Sequence, residues 1–199
     1  KKLIETYDIE RRPVAWSIVN EAARNYNQFA KLPKGKGISS DTASSAALRE
    51  SIGETIYAKK FDREYEMEGV PLGYRYEGSP IIVPDNTPEL PFEVMTYTPT
   101  ARPGHRAPHA WLLDGRSTLD LFGHGFTLLC FDSDLDVSPF IAAGESKCMP
   151  IHLENIDSEA IANLYQKKLV LVRPDGHVAW RSDDLPQDVS LLIDTVRGN

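Results

Sequence analysis

The residues best suited to chemistry stand close together in the stretch RPGHRAPH, from Arg102 to His109. His105 and His109 are four residues apart, but Pro108 lies between them, so the stretch is extended and the two rings do not share a helical face. No cysteine or carboxylate stands at ligand spacing from them, which argues against a zinc site. Either histidine could act as a general base, although a lone histidine is more often an ordinary hydrogen-bonded residue.

The same stretch is a basic patch in an acidic chain. The protein carries a formal net charge of -7. Its basic patch therefore needs a partner, and the nearest one is another part of the same protein. We predict an interdomain contact in preference to an anion-binding site. Its candidate residues are Arg102, His105, Arg106 and His109.

The two cysteines do not form a redox pair. Cys130 lies inside the predicted strand GFTLLCF, and Cys148 follows 18 residues later. A redox site would need a C-x-x-C motif where the next helix begins, but that position reads DSDLDVSPF. We therefore expect core thiols in a reducing compartment, with a disulfide between them left open. A thiol peroxidase or reductase would need a cysteine of low pKa.

Composition excludes several classes of function. The 199 residues are 41% hydrophobic, which is typical of a globular protein. The negative charge gives no reason to bind nucleic acid or an anionic membrane, and no apolar run approaches the ~18 residues of a membrane span. The N-terminal residues are not followed by the apolar core of a signal peptide, so we expect none there. We expect a cytoplasmic protein. Because the chain opens without Met on an already helical pattern, we also expect a piece of a longer protein.

Helices are predicted for the N-terminal part. Pro13 should kink or restart the first helix, and Gly69 should stop the second, with Ser40 or Asp41 as the cap at its start. Gly35-x-Gly37 between them is a very weak dinucleotide motif. The charge run at Glu10 forms either a solvated face or a buried pairing network. One face of the first helix is lined by Ile4, Tyr7, Arg11, Val14, Ile18 and Ala22.

The remainder predicts a mixed α/β fold. GYRYEGSPIIVPDN reads as strand, turn, strand, and the proline-rich residues 84–108 read as a stiff linker. From residue 111 the order is strand, strand, helix, strand, strand, helix, including the hairpin LVLVRPDGHVAWR and a last helix with inward Val189, Leu192, Ile193 and Val196. Ser158 is a possible helix cap, and Trp111 and Trp180 are expected in the core or an interface. This order fits a thioredoxin-like α/β (α+β) sandwich.

Four stretches resemble one family in the same order along the chain. They are TYDIERRPVA, LGYRYEGSPIIVPD, RPGHRAPHAWLLDGRSTLDLFGHGFTLL and LVLVRPDGHVAWR. Together they resemble the C-terminal region of FAD-dependent aromatic hydroxylases related to phenol 2-monooxygenase and to the chlorophenol and hydroxyphenylpropionate hydroxylases. The resemblance is specific for the superfamily and uninformative about the substrate.

The resemblance implies two parts. Residues 1–98 are similar to the incomplete C-terminal part of the FAD and substrate domain, and residues 99–199 to a thioredoxin-like C-terminal domain without the redox C-x-x-C. It implies FAD as cofactor, NAD(P)H as electron donor and a phenolic substrate hydroxylated through a flavin hydroperoxide. The implied partners are the N-terminal FAD-binding region of the same protein and a possible homodimer.

The chain departs from the family in lacking the G-x-G-x-x-G fingerprint and the later flavin motifs. No catalytic, cofactor-binding or metal-binding residue is therefore carried over. We predict that these 199 residues alone neither hold FAD nor turn over. The alternative is a stand-alone thioredoxin-like binding or dimerisation module without catalysis.

Overall fold

The structure is a computed structural model that describes residues 2–32, 37–76 and 78–199. Gly35 of the weak glycine motif lies outside these residues. Helices occupy the N-terminal part and a four-stranded sheet the C-terminal part. In chain order the elements are α1 (Lys2–Ala30), α2 (Ala43–Ala58), α3 (Gly69–Gly73), β1 (Phe126–Cys130), α4 (Ser138–Ser146), β2 (Ile151–Asn155), α5 (Glu159–Tyr165), β3 (Leu169–Val172), β4 (Val178–Ser182) and α6 (Val189–Val196). Short 3-10 turns occupy Phe61–Glu64 and Thr118–Leu121.

The sheet is mixed, with the strand order β2-β1-β3-β4. β1 and β2 are parallel and joined through α4, whereas β3 is antiparallel to both β1 and β4. Alternate residues of each strand point to opposite faces. Leu128 therefore packs with Phe140 and Ile193 of α4 and α6, and Leu129 packs on the other face with Tyr165 of α5.

The mixed α/β class is confirmed, and so are several local predictions. The hairpin forms as β3 and β4, with Gly176 at its turn (φ +79°). The Ser158 hydroxyl caps α5 by accepting from the Ile161 amide. Leu192, Ile193 and Val196 of α6 are buried.

The predicted order of elements after residue 111 matches β1, β2, α5, β3, β4 and α6 and was wrong at one point, because it left out α4. Trp111 makes one isolated bridge to Ser117. Trp111 is 71% exposed, so it does not fill a core, whereas Trp180 in β4 is buried. The thioredoxin-like description of this topology stays a prediction.

Pro13 does not restart the first helix, because α1 runs unbroken past it. A proline inside a helix costs ~3 kcal/mol. Tertiary contacts offset that cost on both sides of it: Glu10 and Val14 are buried against the rest of the chain.

The predicted apolar stripe on α1 exists but faces outward. Ile4 and Tyr7 are 77% and 69% exposed, and only Val14 of the predicted set is buried. The buried face is mostly polar and comprises Thr6, Glu10, Val14 and Asn25. The helix therefore turns its more hydrophobic side away from the described residues.

The second helix also differs from prediction at both ends. Thr42 caps α2, not Ser40 or Asp41, because its hydroxyl accepts from the Ser45 amide. This helix ends at Ala58, well before Gly69. Gly69 is instead the first residue of α3. A Cβ there would lie 1.7 Å from the Glu93 carbonyl oxygen, so glycine is needed for a close backbone approach.

The predicted strand pair near Tyr74 was wrong. The described residues from 74 to 83 make a single bridge, between Arg75 and His105. Residues 84–108 form no strand, but they are tied to the fold. Arg102 donates to the Thr87 carbonyl, and the Gly69 amide donates to that of Val94. Among the described residues, no helix is both long and apolar enough to cross a bilayer.

Candidate interdomain contact

A buried ion pair joins α1 to the turn between β3 and β4. Arg173 grips the Glu10 carboxylate with both terminal nitrogens, at 2.5 and 3.0 Å, and the Ser79 hydroxyl donates to the same carboxylate at 2.6 Å. The side chains of Glu10 and Arg173 are 5% and 11% exposed. This pair resolves one alternative: Glu10 belongs to a buried network, whereas its neighbour Arg12 pairs with Asp8 on the surface.

An aromatic stack extends the network. The Tyr76 ring lies on the His177 ring at 4.2 Å, and the Arg173 guanidinium lies 5.1 Å from the Tyr76 ring centre. Arg11 of α1 donates to the Tyr76 hydroxyl at 3.1 Å. His177 is fully buried, and neither ring nitrogen has a hydrogen-bond partner among the described residues. His177 is thus a packed residue of the contact as well as a turn residue.

Two of the predicted contact residues lie beside this network. The backbone of His105 bridges to Arg75 on one side, and that of Arg106 bridges to His177 on the other. The His105 side chain is buried. Burial, aided by the nearby positive charges of Arg75 and Arg102, lowers the pKa of His105 from 6.5 to about 4. His105 is therefore neutral near pH 7 and does not add to a basic patch.

The other two predicted residues differ in environment. The Arg102 guanidinium donates one hydrogen bond to the Thr87 carbonyl at 2.8 Å, and its remaining two nitrogens are buried without a partner among the described residues. His109 is exposed, with its ring edge-on to Trp111 at 4.9 Å. Arg102, His105 and Arg106 therefore lie near the network around Glu10 and Arg173, whereas His109 lies at the surface.

A second buried pair fastens the proline-rich segment to the sheet. Arg181 of β4 donates to Asp85 at 2.6 Å and to the Tyr165 carbonyl at 3.2 Å. Burial alone would raise the pKa of Asp85, but hydrogen bonds from Thr87 and Arg181 outweigh it and hold that pKa below its usual range. The Tyr165 hydroxyl in turn donates to the Pro108 carbonyl at 2.7 Å.

The cysteines lie away from this network. The expected core thiol is found at Cys130, which is buried in β1, but the expectation was wrong for Cys148, which is exposed after α4. Both are free, so the disulfide left open by the sequence does not form. Neither stands at the N-terminus of α4, where a helix dipole would activate a thiol. Among the described residues no cluster suits a metal ion.

The described residues do not fit the pyrophosphate of FAD. Such a group needs a glycine-rich loop before a helix that joins parallel strands, and β1-α4-β2 is that arrangement here. Its loop, residues 131–137, contains no glycine and carries Asp132, Asp134 and Asp136. Asp136 already accepts from the Ser138 amide at the helix start. Negative charge at this place would repel a phosphate.

Sequence reasoning missed the partners of the contact, Tyr76 and Arg173, because they are distant from α1 in sequence. One signal was available. In RPDGH, an arginine precedes the Pro-Asp-Gly turn and a histidine follows it. The turn itself needs neither residue, so their presence indicated a further role.

Comparison with known proteins identifies the class. Residues 100–198 match the sequence model of the family described as aromatic-ring hydroxylase, C-terminal. Residues 100–198 belong to this family, as the motifs from Arg102 onward suggested.

Similarity extends beyond that domain to nearly the whole chain. The FAD-dependent monooxygenase apdD of Emericella nidulans is 31% identical over 90% of this chain. The 2,4-dichlorophenol 6-monooxygenase of Cupriavidus pinatubonensis is 30% identical over 96% of it. The chain spans only 31% and 37% of these two relatives.

Solved structures agree. A structure of RebC with bound 7-carboxy-K252c superposes with a TM-score of 0.91 and 38% identity, covering 99% of this chain and 37% of RebC. The flavin-dependent monooxygenase PieE, in complex with FAD and substrate, gives a TM-score of 0.76 and 29% identity over 98% of this chain and 39% of PieE.

Proposed function

We propose that these residues are the C-terminal part of an FAD-dependent monooxygenase that hydroxylates a phenolic substrate with NAD(P)H and O2. The observation that carries the proposal is the extent of the match. Likeness to RebC covers 99% of the chain, including α1, which lies outside the C-terminal domain recognised at residues 100–198. We place the domain boundary between residues 98 and 99, and the part after it has a thioredoxin-like topology. Two free cysteines support a reducing, cytoplasmic location.

The N-terminal FAD-binding region is the proposed partner of α1. Large apolar side chains on α1 stay in water when the described residues stand alone, and such patches mark interaction sites. The family matched at residues 100–198 is described as the C-terminal part of aromatic-ring hydroxylases, which supports a partner region on the N-terminal side. Exposed apolar residues of α1 include Ile4, Tyr7, Trp16, Ile18 and Val19.

Within this arrangement the chain has a supporting role. The Glu10–Arg173 pair orients α1 against the C-terminal domain. Arg102, His105 and Arg106 fasten the neighbouring segment through Thr87, Arg75 and His177. The acidic loop before α4 supports the proposal that FAD is held by the N-terminal region. A homodimer of the whole protein is also proposed.

Flavin retention tests the proposal that FAD is bound by the N-terminal region and not by these residues alone. The purified 199-residue chain, mixed with excess FAD and desalted, is expected to show no flavin absorbance. A longer protein that includes the preceding N-terminal region is expected to keep about one flavin per chain and to oxidise NAD(P)H in response to a phenol. Stoichiometric flavin on the short chain, or none on the longer protein, contradicts the proposal; a longer protein without flavin would favour the stand-alone module.

A matched pair of substitutions tests the α1 surface. Ile18 is 47% exposed on the apolar side, and Asn20 is exposed two residues on, about 200° around the helix. Ile18→Glu is expected to lower the flavin content of the longer protein severalfold, and Asn20→Glu to leave it unchanged. Equal flavin content in both variants would exclude this face as the contact.

A further inference from the structure

A small cavity lies beside His105, under the proline-rich segment. Its volume is about 30 Å³, and its wall includes Arg75, Thr96, Thr98 and His105. One water needs at least about 10–15 Å³ of such space. The cavity is therefore large enough for one or two waters or for one monatomic ion, and a five-atom oxyanion such as sulfate does not fit.

The His105 ring faces this cavity without a hydrogen-bond partner from the protein. The residue is 9% exposed, and among the described residues no hydrogen bond reaches its ring nitrogens. Its backbone is fully used, because the amide donates to the Arg102 carbonyl and the carbonyl accepts from the Val178 amide. Buried polar groups are normally hydrogen-bonded, so the ring needs a partner inside the cavity.

The charge next to the cavity is positive and only partly compensated. The Arg102 guanidinium donates to the Thr87 carbonyl, has two further buried nitrogens without a partner, and pairs with no carboxylate among the described residues. Arg75 adds a second guanidinium at the wall. The acidic residue of the wall, Glu93, is exposed to solvent. A buried cation without a paired anion is unfavourable.

We propose that this cavity binds one monatomic anion with the size and charge of chloride. The His105 ring N–H and the hydroxyls of Thr96 and Thr98 are the donors that the wall offers to it. The anion offsets the buried charge of Arg102. It also fastens the proline-rich segment to the bridge between Arg75 and His105.

The uncompensated arginine selects an anion over a water. A water at this place would satisfy the His105 ring but would leave the charge of Arg102 unpaired. A metal cation would add to the positive charge and is therefore excluded. The proposal is independent of flavin binding, because every residue that carries it lies within the described part of the chain.

Anion binding and protonation of His105 favour each other. A bound negative charge opposes the positive groups around the ring, so it raises the pKa of His105, and by linkage the anion binds more tightly as the pH falls. The charged or titratable groups around the ring are Arg75, Arg102, His177 and Arg181, with Asp85 paired to Arg181 and Glu93 at the wall.

Anomalous diffraction from crystals grown in sodium bromide tests the occupant directly. One bromide is expected within about 3.5 Å of the His105 ring in the 199-residue chain. The same peak is expected in the longer protein. A water without anomalous signal overturns the proposal. So does a longer protein in which a carboxylate of the N-terminal region occupies the cavity.

Thermal unfolding tests binding in solution. At constant ionic strength, with gluconate replaced by chloride up to about 150 mM at pH 6, the Tm of the parent protein is expected to rise by about 3 °C. The rise should be lost in His105→Asn and kept in His109→Asn, the matched control at an exposed histidine. At pH 5 the parent should need about threefold less chloride for the same rise.

Thr98→Val removes one hydroxyl of the wall at an exposed position and gives a second reading if His105→Asn does not fold. We expect it to weaken chloride binding severalfold. An equal rise in the parent, His105→Asn and His109→Asn overturns the proposal, because it would be a general salt effect. A bromide in the crystal without any rise in the Tm of the parent means binding at crystal concentration only, and it also overturns the proposal.

Discussion

At the scale of single residues, the contact depends on side chains whose burial fixes their protonation. His105 was singled out in the sequence as a basic residue or a general base, and the structure makes it neutral. Burial does this because a charged imidazolium would lose its hydration, and the neighbouring arginines add repulsion. The same residue type at His109 remains in water.

The lowered pKa of His105 predicts a pH dependence of stability. Its pKa is about 4 in the fold and about 6.5 in the unfolded chain, so the unfolded state binds more protons between those values. Stability is therefore full above about pH 6.5 and falls as the pH drops towards 4, by about 3 kcal/mol in all. His105→Asn should remove this component from the free energy of unfolding, measured in urea from pH 7 to 4.5.

The control is His124→Asn, which removes an exposed histidine. Comparison with the parent protein cancels the contributions of acidic groups such as Asp85. If His105→Asn and the parent lose stability in parallel over this pH range, the proposed neutral state of His105 is wrong.

At the scale of elements, glycines separate local propensity from tertiary packing. Gly53 lies in α2, where an added Cβ meets nothing within 4 Å. Gly69 begins α3, where the added Cβ would overlap the backbone of Glu93. The sequence gives both glycines the same unfavourable helix propensity, so only the packed structure distinguishes them.

Alanine at these two positions should have opposite effects. Gly53→Ala is expected to raise the free energy of unfolding by about 0.5–1 kcal/mol, because alanine is the better helix former. Gly69→Ala is expected to lower it by more than about 2 kcal/mol, because backbone at the Glu93 approach must move. Thermal unfolding of the two variants and the parent measures both. An unchanged free energy of unfolding in Gly69→Ala would mean that the backbone of Glu93 lies farther from Gly69 than the structure shows.

At the scale of the whole molecule, the Glu10–Arg173 pair holds residues far apart in the chain. Removing one member of a buried pair leaves an uncompensated charge and costs roughly 3–5 kcal/mol. In Glu10→Ala, Arg173 keeps Asp175 as a partner at 2.8 Å, so we expect a loss no larger than the lower end of that range, about 3 kcal/mol. The double variant Glu10→Met with Arg173→Met is expected to recover most of that loss.

Asp8→Ala is the matched control on the same helix. Its partner Arg12 is exposed, so the loss should stay below about 0.5 kcal/mol. Urea unfolding measures all four proteins. Equal effects of Glu10→Ala and Asp8→Ala would mean that α1 is not held by this pair.

The sequence by itself determined the elements with strong local signals. The β3–β4 hairpin, the Ser158 cap and the inward face of α6 follow from turn chemistry and periodicity within a few residues. The absence of a glycine-rich loop was already visible in the sequence, and the prediction that these residues do not hold FAD rests on it. The motifs from Arg102 onward were sufficient to indicate the family.

Only the tertiary structure decided which side of α1 is buried and what meets it. Periodicity locates an apolar stripe on a helix but does not identify the surface that packs against it. In α1 the polar side packs inward, because Glu10 pairs with Arg173, which is 163 positions away in sequence. The unbroken passage of α1 through Pro13, the reason for Gly69 and the neutral His105 have the same origin. Each depends on contacts between residues that are distant in sequence, and a local sequence pattern contains no information about such contacts.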